Sequence, residues 1–301
     1  MRGELKEQAA ASKIKIVINL NKIAMKRIII CGMALTILMA MLLTSCHKET
    51  NNNSSTENPI DDHYANQQYP PTAQVIRKAV TDIDGNIYDA VQIGDQVWMA
   101  ENLRTTRFAD GTDIQKGTLG TSYYDPRCFA PDNDSSNVVK YGYLYNGFAT
   151  MNIDSNSIFD PLPDVVQGIC PDGWHVPNTA EWQQLIDYMS TQTSYIAGGN
   201  PEHIAKALAS TQGWVYSENP DAVGNNPSAN NATGFSALPV NRSIDNSYST
   251  SYYGYSTSFW SATNYDLVNF ISYVILNYQA KLERGYASVF NGYPVRCVRN
   301  E

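Results

Sequence analysis

Two glycine turns, ten residues apart, constrain the fold of this chain more than any other feature of its sequence. Asp84-Gly85 and Gly94-Asp95 each separate runs in which apolar and polar residues alternate. Glycine tolerates the positive φ of tight hairpin turns, and alternation with a period of two is typical of β-strands. Segment 82–104 therefore predicts two successive hairpins. The alternative is a calcium loop at 82–86, which lacks the further acidic ligands and the bidentate glutamate of an EF-hand.

A capped amphipathic helix is predicted from Asn178 onward. Asn178 can cap the helix, and Glu181, three residues later, completes a capping box. A shorter helix is predicted over His203–Thr211, with Ile204 and Leu208 facing inward. Apolar residues spaced i, i+3, i+4 and i+7 give the longer helix one face that packs on a sheet; they are Trp182, Leu185, Ile186 and Met189.

The C-terminal part alternates again and predicts further strands. About 228 residues extend from Gln74 to Glu301, which is enough for one large core or two small ones, and we favour one. We therefore predict a single α+β domain over 74–301. The C-terminal strands are predicted at Ser258–Thr263, Phe270–Tyr278, Tyr286–Phe290 and Tyr293–Arg299.

The N-terminal segment resembles a bacterial lipoprotein signal. A short positive stretch at 25–27 precedes 16 uncharged residues at 28–43, and Leu-Thr-Ser-Cys follows as a lipobox. The apolar run is shorter than the roughly 20 residues that span a bilayer, which favours a cleavable signal over an uncleaved anchor with an incidental cysteine. We predict a signal peptide over 25–45 and acylation of Cys46.

The segments on either side of this signal carry no predicted fold. Residues 1–24 are unlike any part of a lipoprotein signal, so we expect the gene to start at Met25. Residues 46–73 are rich in Asn, Ser, Thr, Asp and Pro and have little to bury, which is typical of a flexible tether. The expected location is the cell envelope, at the outer membrane.

The charge balance argues against a nucleic-acid partner. The whole chain carries a net charge of −8. From position 46 onward there are 14 basic and 27 acidic side chains, a net charge of −13. A surface this acidic repels phosphate backbones and anionic lipid head groups. Membrane attachment is therefore expected through the lipid, and no nucleic acid is expected as a partner.

The cysteine count predicts one disulfide. Removal of Cys31 with the signal and acylation of Cys46 leave three cysteines, and an exported protein can form disulfides. Cys170 lies just before the longer helix and Cys297 in the last predicted strand, so joining them closes a loop of 127 residues. Cys128 then remains as a buried thiol. The alternative is metal binding, but the three cysteines form no CxxC pair and have no neighbouring histidine.

Seven sequence blocks, taken in order, resemble the Fibrobacter succinogenes major paralogous domain family. The resemblance spans residues 79–300, and its motifs are specific in combination although weak singly. The blocks are DIDGNIYDAVQIGDQVWMAENLR (82–104), KYGYLYN (140–146), GICPDGWHVPNTAEWQQL (168–185), AKALAST and GW (205–214), GFSALPVNR (234–242), FWSAT (259–263) and PVRCVRN (294–300).

The resemblance implies a C-type-lectin-like α+β fold. Antiparallel sheets would pair the two ends of the domain, with one main helix, one shorter helix and long loops that carry any binding site. The block HVPNTAEWQQL is also similar to a helix of the formylglycine-generating, sulfatase-modifying group. No reactive cysteine pair stands where those enzymes need one. Family members often have two cysteines before the KYG block, whereas this chain has only Cys128 there. The calcium-dependent sugar-binding motifs are absent, and Asn219-Pro220-Asp221 is expected to be a turn.

No sequence motif predicts catalysis, which needs a positioned base, nucleophile or metal. His47 and His63 lie in the tether, His203 opens the short helix, and His175 is expected to be a structural imidazole in an aromatic wall. Nucleophile-elbow, zinc-protease and phosphate-loop motifs are absent from the sequence. We expect no enzyme activity, no cofactor and no bound metal.

The segment 241–266 predicts a binding surface, because tyrosines alternate there with Ser, Asn, Gly and Thr. Tyrosine offers wide contact at low rotamer cost, as in antibody loops, and aromatic rings stack on the C–H faces of sugars. The alternative is that these tyrosines pack beneath a long loop. Trp98, Trp174, Trp182 and Trp214 are assigned to the core. The candidate ligand-binding residues are Tyr248, Tyr252, Tyr253, Tyr255, Trp260, Asn264, Tyr265 and Asp266.

The sequence thus predicts a lipid-anchored envelope protein that displays a non-catalytic, lectin-like domain for a glycan or protein ligand. One alternative is a structural or adhesion subunit of a surface assembly, in which the same surface meets another protein permanently. A second alternative is an enzyme like the formylglycine-generating group but without the usual reactive cysteines.

Overall fold

The computed structural model describes residues 69–117, 124–158, 160–240 and 253–301. They all belong to one compact unit, Asn58–Glu301. The predicted signal peptide, Cys46 and most of the predicted tether lie outside the described residues, and so do Tyr248 and Tyr252.

Three sheets and four short α-helices make up the described α+β domain. The strands are β1 Gln74–Thr81, β2 Ile87–Ile93, β3 Gln96–Met99, β4 Gln115–Lys116, β5 Arg127–Phe129, β6 Leu144–Tyr145, β7 Trp174–His175, β8 Ser256–Asn264, β9 Asn269–Leu276, β10 Glu283–Ser288 and β11 Val298–Arg299. The helices are α1 Val138–Tyr141, α2 Gly147–Met151, α3 Thr179–Ser190 and α4 Ala205–Leu208. The sheets have the strand orders β1-β2-β3-β11-β7, β10-β9-β8 and β4-β5-β6.

Both predicted hairpins are confirmed. Strand β1 pairs antiparallel with β2, and β2 pairs antiparallel with β3 across the two-residue turn at 94–95. Gly85 and Gly94 have φ values of 84° and 64°, which residues other than glycine rarely adopt. Strand β11 joins the same sheet beside β3, so the two ends of the domain share one sheet, as expected.

The five-stranded sheet has apolar cores on both of its faces. Successive residues of β2 and β3 alternate between two clusters: Tyr88 and Met99 pack in one, whereas Val91 and Trp98 pack in the other. Helix α3 covers the second cluster through Trp182, whose ring centroid is 4.7 Å from that of Trp98. The four tryptophans assigned to the core are all buried, as predicted.

Helix α3 begins as the sequence predicts. The Asn178 side chain accepts hydrogen bonds from the backbone amides of Ala180 and Glu181, and the Glu181 carboxylate accepts from the amide of Asn178. Trp182, Leu185 and Met189 are buried. This capping box sets the helix start beside β7.

Five predicted elements, the short helix and the four C-terminal strands, have different bounds in the structure. The short helix spans only Ala205–Leu208, because Ser210 donates its amide to the carbonyl of Ala237 and so leaves the helix. The last strand is reduced to Val298–Arg299, because the extended chain before it forms hydrogen bonds with several separate segments. Strand β10 starts three residues earlier than predicted, where its pairing with β9 begins. Helices α1 and α2 were not predicted from the sequence.

The predicted disulfide is present and links Cys170 to Cys297 across 127 residues. Both cysteines are fully buried. Cys128 is a free, buried cysteine, and its burial raises the pKa of the thiol to about 12. The bridge therefore joins the segment before α3 to the C-terminal strand, while Cys128 remains a protonated core residue.

Candidate functional site

Strand β8 divides the predicted binding segment into two separate parts. Tyr255 lies just before β8 and Tyr265 just after it, ten residues further along the chain. At the rise of an extended strand, ten residues span roughly 30 Å. The described candidate residues therefore do not form one site.

Trp260 lies in the core and is not part of a surface. Its side chain is 1% exposed, and its indole Nε1 donates a hydrogen bond of 2.9 Å to the carbonyl of Tyr145. Its ring packs against those of Phe270 and Tyr293, with centroid distances of 6.2 and 5.2 Å. Both faces of β8 are covered here, since Trp260 belongs to one core cluster and the adjacent Phe259 to the other, and the aromatic composition of the segment did not reveal this.

Tyr253 is half-buried and packs within the domain. Its ring centroid lies 5.2 Å from that of Tyr141. Burial raises the pKa of the Tyr253 hydroxyl, and the charge of Asp132 adds to this effect. For this residue the structure supports the alternative that some tyrosines of the segment pack under neighbouring chain.

The turn between β8 and β9 presents the clearest exposed candidate surface. Residues 264–268 are all exposed, and the ring of Tyr265 meets that of Tyr286 on β10 with a centroid distance of 4.0 Å. Tyr265 is 56% exposed and Tyr286 is 58% exposed. We call residues 264–268 together with Tyr286 the tip surface.

Hydrogen bonds stabilise the turn of the tip surface. The Asp266 carboxylate accepts from the backbone amides of Val268 and Asn269 at 3.0 and 2.9 Å, and from the Asn269 side chain. These hydrogen bonds lower the pKa of Asp266, so the carboxylate is ionised at neutral pH. Tyr265 also donates its amide to the carbonyl of Asn269. The ring of Tyr265 is therefore presented by a hydrogen-bonded turn, and that of Tyr286 by the neighbouring strand β10.

Three other exposed tyrosines lie on neighbouring segments at the opposite end of β8. Tyr216, Tyr255 and Tyr278 are 70%, 46% and 56% exposed. The amide of Asn277 donates to the carbonyl of Tyr255, and its side chain donates to the carbonyl of Val215. The sequence analysis missed Tyr216 and Tyr278, because they are distant in sequence from 241–266.

The acidic turn at 82–86 is built by hydrogen bonds to protein donors. Asp82 accepts from the amides of Asp84 and Asn86, from the Asn86 side chain and from the Tyr88 hydroxyl. Asp84 pairs with Arg107 and accepts from the amide of Thr106. The carboxylates of Asp82 and Asp84 thus accept hydrogen bonds that stabilise the turn. Within the described ranges, no group of three or more His, Cys, Asp or Glu side chains could hold a metal ion.

The two described histidines tie segments of the fold together. His175 is 5% exposed, and its ring nitrogens lie 2.6 Å from Asn300 Oδ1 and 2.5 Å from Glu181 Oε1. His203 Nδ1 lies 2.9 Å from the carboxylate of Asp221, which fixes the predicted turn at 219–221. His175 thus has a structural position between the C-terminus and the first turn of α3.

The His175 contacts predict a pH dependence of stability. Burial lowers the pKa of His175, but the hydrogen bonds to Glu181 and Asn300 and the charge of Glu181 raise it above its ordinary value. The protonated ring therefore stabilises the folded state fully below about pH 6.5, and this contribution is lost as the pH rises through the raised pKa. The free energy of unfolding should fall over that range. His175→Gln, which cannot titrate, should remove this part of the slope, and equal slopes would contradict the assignment.

These features define a disulfide-linked α+β domain with ordered aromatic surfaces at two ends of one strand. A comparison with protein-family models matches residues 91–299 to the Fibrobacter succinogenes major domain, and the chain belongs to this family. Searches of curated proteins and of solved structures found no match. In the part of the chain that the structure describes, no helix is both long enough and apolar enough to cross a membrane.

Proposed function

We propose that this chain is a lipid-anchored cell-envelope protein whose domain binds a glycan or protein ligand without transforming it. The observation that carries the proposal is the exposed Tyr265–Tyr286 pair, in which a hydrogen-bonded turn holds Tyr265 and strand β10 holds Tyr286. Rigid tyrosines lose little conformational entropy on binding and offer both an apolar face and a hydroxyl. The shared sheet of the two ends and the helix beside it support a C-type-lectin-like arrangement.

The neighbouring polar groups suit a ligand that carries hydroxyl or amide groups. Asn264 and Asp266 are exposed beside Tyr265, and the Asp266 carboxylate is ionised. Leu267 and Val268, which are 56% and 38% exposed, extend the apolar part of the tip surface. Aromatic rings with adjacent hydrogen-bonding groups are typical of sites that select a ligand by shape and by a few polar contacts.

The membrane attachment is proposed from the lipobox at Cys46. Each buried acyl methylene contributes roughly 0.8 kcal/mol, so two or three acyl chains hold a protein at a membrane. Growth of an expressing bacterium with labelled palmitate should label the full chain and place it in the outer-membrane fraction. Cys46→Ser should abolish both results, and unlabelled wild-type chain in the cytosol would contradict the anchor.

Ligand binding is tested by applying the full chain, in a detergent without sugar groups, to a glycan array with and without calcium. Binding to a defined set of glycans would support the proposal. Parallel incubation with intact envelope fractions tests protein ligands. Chemical conversion of a bound compound would contradict the non-catalytic assignment.

Replacement of both Tyr265 and Tyr286 by alanine should abolish ligand capture by the tip surface and leave stability nearly unchanged. Both rings are more than half exposed, and surface substitutions of this kind usually change stability by less than about 0.5 kcal/mol each. Capture should be measured on the array and stability by thermal unfolding.

The matched control for the tip surface is the double variant Tyr216→Ala and Tyr278→Ala, at the opposite end of β8. These tyrosines are about as exposed as Tyr265 and Tyr286, so the control variant also removes two exposed tyrosine rings. Unchanged capture is expected for this control. If the control variant loses ligand capture while the tip variant keeps it, the binding site lies at the opposite end of β8.

A further inference from the structure

A small cleft beside the disulfide has no role in the function proposed above. It has a volume of about 230 Å³ and lies where the turn between β1 and β2 meets the segment around Arg107 and the segment just before β7. Sites for drug-sized ligands usually measure roughly 300–1,000 Å³. This cleft therefore suits a single small ring.

The cleft combines an apolar wall with three charged groups, of which Asp82 is one. Ile83, Ile169 and Pro171 form the apolar part, while Arg107 and Asp172 lie on the same lining. Ile83 is 44% exposed, so one side of the wall is open to solvent. A ligand in the cleft would meet hydrocarbon on one side and hydrogen-bonding groups on another.

Two of the charged groups, Arg107 and Asp172, keep hydrogen-bonding capacity for a ligand. Arg107 donates from Nε to Asp84 and from Nη2 to the carbonyl of Ile83, and its Nη1 has no partner among the described residues. Asp172 accepts one bond, from Gln167 to Oδ1, and within the described ranges its Oδ2 accepts none. The cleft thus offers a donor and an acceptor.

The charged groups of the cleft disfavour the binding of an anion or a metal ion. The Arg107 guanidinium is neutralised by Asp84, and the carboxylates of Asp82 and Asp172 leave the lining acidic, which disfavours an anion. The oxygens of Asp82 are already engaged by protein donors, which leaves too few free carboxylate oxygens to enclose a metal ion. An uncharged ligand fits these conditions best.

We propose that this cleft binds a neutral saccharide ring. One ring hydroxyl would donate to Asp172, a neighbouring hydroxyl would accept from Arg107, and a C–H face of the ring would lie on Ile83 and Pro171. A hydroxyl group can donate and accept at once, so adjacent hydroxyls match this pair of side chains. The inference is independent of the tip surface, because it rests on different residues.

Calorimetric titration of the full chain, in a detergent without sugar groups, tests the cleft with the methyl glycosides of glucose, galactose, mannose and N-acetylglucosamine. At least one glycoside should bind. Asp172→Ala should weaken that binding about tenfold or more, because the bond to a charged acceptor is lost. Ala109→Trp, which places a large side chain on the lining, should abolish it.

Two controls separate the cleft from other parts of the molecule. Asp187, like Asp172, is exposed and accepts one bond from a glutamine, so Asp187→Ala should leave glycoside binding unchanged. The Tyr265→Ala and Tyr286→Ala double variant should also bind the glycoside normally. If that double variant loses the glycoside while Asp172→Ala keeps it, the glycoside binds at the tip surface and the cleft proposal is overturned.

Two further outcomes would overturn the assignment. One is the absence of binding by all four glycosides. The other is binding of free leucine, whose carboxylate and ammonium groups could also pair with Arg107 and Asp172, more tightly than that of any of the four glycosides. Each result leaves the proposal for the tip surface to be judged separately by its own variants.

Discussion

Replacing both Cys170 and Cys297 by serine should lower the free energy of unfolding by about 5 kcal/mol. The bridge closes a loop of 127 residues, and the chain-entropy model gives roughly this value for a loop of that length. The residues on either side of the bridge are part of the core, so its loss also frees the C-terminal strand from the segment before α3. Urea unfolding of the oxidised chain, compared between wild type and variant, measures the difference.

Reduction provides an independent check of the disulfide. Because both sulfur atoms are buried, the wild type must be reduced while unfolded and then refolded with reductant present. Its stability should then approach that of the double serine variant, which reductant should not change. Cys128→Ala, the control, removes a buried thiol outside the bridge and should cost only about 1 kcal/mol. Equal stability of wild type and double variant would refute a stabilising bridge.

Replacing Trp260 by alanine should destabilise the domain by about 3–5 kcal/mol, the usual cost of removing a large buried aromatic side chain. The indole is 1% exposed and packs between Phe270 and Tyr293. Any loss of ligand capture in this variant would follow from unfolding. The thermal unfolding midpoint, measured together with capture below that midpoint, separates the two effects.

Trp260→Phe is the matched variant for this position. It keeps most of the ring packing and loses the hydrogen bond from Nε1 to the carbonyl of Tyr145. That carbonyl still accepts from the amide of Tyr293, so no buried acceptor is left without a partner. The expected cost is about 1–2 kcal/mol. If the Trp260→Ala protein is stable and no longer captures ligand, Trp260 is part of the binding surface and its assignment to the core is wrong.

Local sequence signals predicted the parts of this fold that depend on neighbouring residues. The hairpins followed from glycine turns, and helix α3 followed from its capping box and apolar period. The four-residue helix α4 was predicted too long, because residues after Leu208 bond to a segment almost thirty residues away. A local pattern carries no information about such a distant partner.

The candidate site could be predicted only in part. Tyr265 was identified from the sequence, whereas its neighbour Tyr286 was assigned only to a strand, and the pairing of β10 with β9 brings the two rings together. Trp260 was wrongly grouped with exposed rings, since composition does not show that both faces of β8 are covered by core residues at this point. The cleft beside Arg107 was not predicted, because its lining comes from three segments that are distant in sequence.

The sequence by itself determined the turns, the capped helix and the family, since each depends on residues close together in the chain or on blocks in order; the export signal stays a prediction. Only the tertiary structure decided which aromatic rings are exposed and which charges are satisfied. Arg296 shows the reason: it is 2% exposed and donates to Asn102 and to the carbonyls of Met99 and Phe235. Such long-range contacts form when separate segments pack, so burial and binding capacity are properties of the assembled fold.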